Sequence, residues 1–177
     1  MVTNDHYIVF VAVLGGLGGP QTGDIAVALS RLDGVKVWMP SLRLDQFRAD
    51  VELAVRLFPA KKVAIVGHSF GAQKALETCN GISFYGIRVD YLALLDPVAY
   101  DPFWSRTLNY PAGNAAPVLC DIIHAANWYP VVTATVVGGP VPSIVSNTSH
   151  NSLCHNPSVI ASIVNRVAKL VKDATGA

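Results

Sequence analysis

Charge is scarce in this sequence: 13 Lys and Arg stand against 12 Asp and Glu in 177 residues, a formal net charge of +1. That balance leaves no basic face for nucleic acid and no charged tail, so the expected partner is a neutral or amphipathic small molecule. Cysteine is equally sparse. Cys79, Cys120 and Cys154 are odd in number and far apart, with no C-x-x-C pair and no histidine at zinc-finger spacing, which argues against a disulfide framework or a zinc site and for buried thiols. Long apolar runs are missing too, because Gly, Pro and polar residues interrupt each one short of a membrane span. The opening run 8–14 has no Lys or Arg before it, and Asn4, Asp5 and His6 stand where a basic leader region belongs. It is better read as a strand, and the expected location is cytoplasmic. No repeat or low-complexity segment is present, and no metal or cofactor is expected.

What the sequence does have is apolar content, 51% of its residues, enough to bury one core and to make residues 1–177 a single domain. β-Branched runs alternate with segments of helical period, the rhythm of a mostly parallel sheet flanked by helices on both faces. Strands are expected at 7–14, 35–39, 62–66, 89–95 and 119–125. Helices are expected at 24–32, from about 45 to 58 where Phe47, Val51, Ala54, Val55 and Phe58 share a face, and from about 71 to 80. A last helix begins at Asn156 as cap and Pro157 in the first turn, with Val159, Ile160, Ile163, Val164, Val167 and Leu170 on its buried side. Residues 131–145, broken by Gly138, Gly139, Pro140 and Pro142, read as an irregular hairpin rather than a central element. The stretch 99–117, with Tyr100, Phe103, Trp104 and Tyr110, is the natural rim of a ligand site.

The strongest chemical signal is Gly67-His68-Ser69-Phe70-Gly71, placed where an expected strand ends and an expected helix begins. A serine there sits on a sharp, strained turn that exposes its hydroxyl, and the flanking glycines let strand and helix backbones approach closely. A hydroxyl is a weak nucleophile and needs a base, normally a histidine oriented by a carboxylate, in the chain order Ser, Asp, His. Asp96 ends the strand after the nucleophile helix, at the edge where parallel sheets place their sites, whereas Asp90 lies at the wrong end of that strand and Asp121 within or at the start of the next. Of five histidines, His6 precedes the first strand, His68 is expected to point away from Ser69, and His124 falls within a strand. His150 and His155 share one loop, and chain position alone does not separate them. His150 is preferred because it lies deeper in that loop, while His155 adjoins the cap of the last helix.

An oxyanion hole is expected from the backbone amides of Phe70, after the nucleophile, and of Leu17, in the loop Gly15-Gly16-Leu17-Gly18-Gly19 that follows the first strand. The same glycines fit a dinucleotide fingerprint poorly. Gln21 occupies the place of its third glycine, and the second strand ends in Met39-Pro40 without an acidic residue for a ribose.

With these residues in view the sequence resembles the α/β-hydrolase superfamily over nearly the whole chain from Tyr7. The glycine loop is similar to the family's His-Gly-x-Gly-type loop, Gly67 to Gly71 to its nucleophile elbow, Leu95-Asp96-Pro97 to the acid site of lipases, and His150-Asn151-Ser152-Leu153 to its histidine loop, which favours His150 over His155. The departures are Gly15 in place of the loop histidine, a start at what resembles the third strand of the family, and a segment 99–117 too short for a large cap. The resemblance implies a small, uncapped serine esterase, lipase or thioesterase, cutinase-like in size, acting on an acyl substrate through Ser69, His150 and Asp96. The same residues suit an acyltransferase, and the fold alone suits a non-catalytic binding module with Trp104, Tyr110, Trp128 and Tyr129 as its aromatic rim.

Overall fold

The computed structural model describes residues 7–16, 21–40, 46–98, 111–126 and 143–176, and for 143–145 the backbone alone. Six strands make one sheet: β1 (Val9–Leu14), β2 (Val35–Trp38), β3 (Lys62–His68), β4 (Tyr91–Leu95), β5 (Leu119–His124) and β6 (Ser143–Val145). Their order is β2-β1-β3-β4-β5-β6, and every neighbouring pair is parallel. Parallel pairing needs crossovers, and the helices α1 (Gly23–Leu29), α2 (Phe47–Leu57) and α3 (Phe70–Ile82) lie in the first three of them. The helix α4 (Pro157–Thr175) follows β6.

Alternation along β1 shows why its sequence is apolar throughout. Phe10, Ala12 and Leu14 enter a core with Phe47 and Val51 of α2 and Ala72 and Leu76 of α3. Val9, Val11 and Val13 enter a second core, on the opposite face, with Ile25 and Leu29 of α1 and Ile163 and Val167 of α4. Each such side chain withdrawn from water contributes roughly 1.5–3 kcal/mol, so the spacing Val159, Ile163, Val167 is what fastens α4 to the sheet. Asn156 caps α4 as expected, its Oδ1 accepting from the amides of Ser158 and Val159, with Pro157 in the first turn. A polar clamp adds to this: Arg166 donates twice to Asp121 on β5, at 3.0 and 3.3 Å, and the Tyr91 hydroxyl donates to the same carboxylate at 3.1 Å. Cys79, Cys120 and Cys154 are buried and free, and burial pushes each thiol up to about 12, so none offers a thiolate near neutral pH.

One expected element differs. Among the described residues Ser143–Val145 is a parallel strand at the edge of the sheet, with Ile122 opposite Ser143 and His124 opposite Val145. The Gly and Pro residues behind the hairpin reading all precede it, and an edge position tolerates so short a strand. The rest of 131–145, with Leu17, the aromatic residues at 100–110 and Trp128 and Tyr129, lies outside the described residues. Among the described residues no helix is long and apolar enough to cross a membrane.

The chain steps outward from β1 to β2, then returns to place β3 on the other side of β1. Connections leaving β1 and β3 therefore diverge, and the carboxyl ends of those two strands, at Leu14 and His68, are where such a topology places a ligand site.

Candidate active site

Ser69 follows β3 and stands immediately before α3, with φ 58° and ψ −126°. A non-glycine residue in that region is strained by roughly 1–3 kcal/mol, and persists only where its surroundings dictate it. They do so here through the backbone. The Ser69 amide donates to Leu95 O at 2.9 Å, and its carbonyl accepts from Ala72 at 3.0 Å and from Val98 at 3.2 Å. Close approach explains the two glycines: a Cβ on Gly67 would lie 2.4 Å from Gly71 O, and one on Gly71 would lie 2.4 Å from Gly15 O. The second of these contacts presses the end of β1 onto the start of α3, and Gly16 is so near that a Cβ built there would be 3.3 Å from Ser69 Oγ.

Leu95 and Val98 bracket Asp96, so the turn carrying the carboxylate is bonded directly to the turn carrying the serine. Asp96 also has positive φ, at 39°, and is fully buried. Its amide donates to Ile123 O at 2.7 Å, and its Oδ1 accepts from the Ala125 amide at 3.3 Å. Its Oδ2 accepts from His150 Nδ1 at 2.6 Å. That bond places the proton of a neutral imidazole on Nδ1 and leaves Nε2 with a lone pair, the form a base requires. The loop of His150 is held by a backbone bond from Ala126 to Thr148 and by a 3-10 turn, Leu153–His155, with Leu153 and Cys154 buried.

The structure thus brings Ser69, Asp96 and His150 to one edge of the sheet, and separates His150 from His155. His155 donates through Nδ1 to Asp24 on α1 at 2.7 Å, with its side chain 52% exposed, and so serves as a surface tie between loop and helix. His124 ends β5 with Nδ1 3.8 Å from Asp96 Oδ1, beyond hydrogen-bond reach. Phe70 begins α3, with its amide in the first turn beside Ser69.

His68 is the residue that reasoning from sequence missed. Its ring, expected only to point away from Ser69, is buried and engaged. Its ring lies 4.6 Å, centroid to centroid, from that of His150, tilted by 37°, and its Nε2 lies 3.0 Å from His150 O. The signal was available in the strand alternation, which puts Ala64, Val66 and position 68 on the face covered by α1 and α4, where the His150 loop arrives.

Burial, and secondarily the neighbouring His150, pushes His68 down to about 4 from an ordinary 6.5, against smaller opposing effects of its bond to His150 O and of Asp96, with His155 adding slightly to the depression. Above pH 6.5 the ring is neutral in folded and unfolded chains alike and contributes nothing to pH dependence. As pH falls from 6.5 towards about 4, the unfolded chain takes up a proton that the folded one refuses, and stability is lost across that window. At about 1.4 kcal/mol per pH unit the loss approaches roughly 3 kcal/mol. Urea denaturation at a series of pH values through this window is expected to show that slope in the wild type and a flatter one in His68→Phe. Equal slopes in the two proteins would show that His68 takes up its proton normally.

No protein-family model matches the sequence, and no curated protein matches it. Solved structures do. Human thioesterase 2 aligns over 94% of this chain and 97% of its own, with a TM-score of 0.65 at 13% identity. The type II thioesterase of the yersiniabactin pathway aligns over 97% of this chain and 95% of its own, with a TM-score of 0.61 at 12% identity. An arylesterase aligns over 94% of this chain and 76% of its own, with a TM-score of 0.57 at 14% identity. Identities this low speak to architecture alone, and the architecture, a parallel sheet with helices on both faces, is the α/β-hydrolase fold.

Proposed function

We propose that the protein is a serine hydrolase that cleaves an ester or thioester through an acyl-enzyme. The observation that carries this reading is the 2.6 Å bond between His150 and the buried Asp96, in a turn bonded on both sides to the strained turn of Ser69. In the proposed reaction Ser69 Oγ attacks the acyl carbon while His150 Nε2 takes the hydroxyl proton. The oxyanion that forms is held by the amide of Phe70 and, from the loop after β1, that of Leu17. The leaving alcohol or thiol departs with the proton from His150, which leaves Ser69 acylated. Water then attacks this ester, His150 accepts its proton and returns one to Ser69 Oγ, and the free acid leaves.

The thioester alternative is supported by the thioesterases among the structural neighbours, and the low, nearly balanced charge suits an acyl chain. A fluorophosphonate probe is expected to modify the folded protein at Ser69 and nowhere else, as read by mass spectrometry of the peptide, and to stop turnover of p-nitrophenyl esters and acyl thioesters. Folded protein that resists the probe and turns over no member of either series would sink the proposal.

A further inference from the structure

We propose that His68 is a positioning residue for the base: as a neutral ring protonated on Nε2, it fastens the loop of His150 to the strand that leads into Ser69. This rests on the reading of Ser69, His150 and Asp96 given above.

A carbonyl oxygen only accepts, so the 3.0 Å contact requires His68 to donate from Nε2 to His150 O. Nδ1 of the same ring is then bare, and it has no partner among the described residues although the side chain is fully buried. An orphaned buried nitrogen is destabilising, a cost that leucine or phenylalanine would not carry at a site needing only bulk. What a histidine supplies there is the donor together with a flat face.

His150 needs both. The bond through Nδ1 fixes one edge of its ring. The His68 ring lies against one face of it at 4.6 Å, and the bond to His150 O fixes the backbone from which the ring projects. Because His68 adjoins Ser69 and pairs with Leu95 in the middle of the sheet, the base is registered to the nucleophile through a single peptide unit. The neutral state matters as well, since a charged His68 would oppose the imidazolium that His150 becomes in each half-reaction.

Two substitutions separate donor from bulk. Glutamine places an amide N–H near the position of Nε2, and phenylalanine keeps the ring without the donor. With both variants shown folded by circular dichroism and thermal melting, His68→Phe is expected to lower kcat about 30-fold with KM within about twofold, and His68→Gln to remain within about fivefold of wild type. A second readout does not depend on turnover: the low-field proton resonance of His150 Nδ1–H, assigned by its absence in Asp96→Ala, should broaden in His68→Phe and persist in His68→Gln. Equal kcat in the two variants, together with an unaltered resonance in both, would overturn the proposal. Should the wild type hydrolyse no ester or thioester while the resonance still responds to His68→Phe alone, the positioning role stands and the hydrolase reading fails. Should turnover and resonance both survive the loss of the donor, the hydrolase reading stands and this one fails.

Discussion

Ser69→Ala is expected to lower kcat for its best ester or thioester substrate on the order of 10⁴-fold or more, and to abolish fluorophosphonate labelling. The size follows from the proposed mechanism, in which the hydroxyl is the atom that becomes acylated; without it only direct attack by water remains. Stability should hardly change, because the strain at φ 58° resides in the backbone and alanine bears it as serine does. Ser69→Gly supplies the internal control. Glycine adopts positive φ freely, so this variant should be equally inactive yet more stable than Ser69→Ala by about 1 kcal/mol in urea denaturation. Turnover within tenfold of wild type in either variant would remove Ser69 from the chemistry.

Asp96→Asn is expected to cost about 10⁴-fold in kcat with the fold intact. An asparagine at 96 can accept from the Ala125 amide through its oxygen and turn its NH₂ towards His150. The imidazole must then accept at Nδ1, so its proton moves to Nε2 and the lone pair that would take the serine proton is lost. The loss comes from tautomer, not from shape, and nitrogen chemical shifts of His150 should report the exchange of protonated and bare positions. An Asn variant that kept Nδ1 protonated and still lost activity would require a different role for Asp96.

Much of this arrangement is legible in the sequence, for reasons that are local. Strands buried on both faces must be apolar without interruption, which is why 7–14, 62–66 and 89–95 stand out, and each meets a strand observed at Val9–Leu14, Lys62–His68 and Tyr91–Leu95. The edges differ where long-range pairing decides them. β3 runs on to His68 because Gly67 and His68 pair with Leu94 and Leu95, a register that strand propensity at a glycine does not announce. α1 stops at Leu29, short of the expected 32, where Ser30 to Asp33 turn towards the left-handed Gly34. Ser69 and Asp96 could be placed at one edge of the sheet because each stands at the end of a strand, a place defined by neighbouring residues. His150 and His155 could not be separated by position alone, since what divides them is the side chain each meets, Asp96 from β4 for one and Asp24 from α1 for the other. His68 was lost for the same reason, its partner being 82 residues away.

That distance has a consequence for timing. Synthesis delivers the chain from its amino end, and domains gather their early elements first. The serine and carboxylate turns are bonded to each other and to β5 through residues up to Ala125, whereas His150 arrives only with the loop between β6 and α4. Its place is secured when Ile163 and Val167 cover the sheet and Arg166 closes on Asp121. On the proposed mechanism a growing chain therefore lacks its base until the last helix docks, so completion of the fold and readiness to react would be a single event.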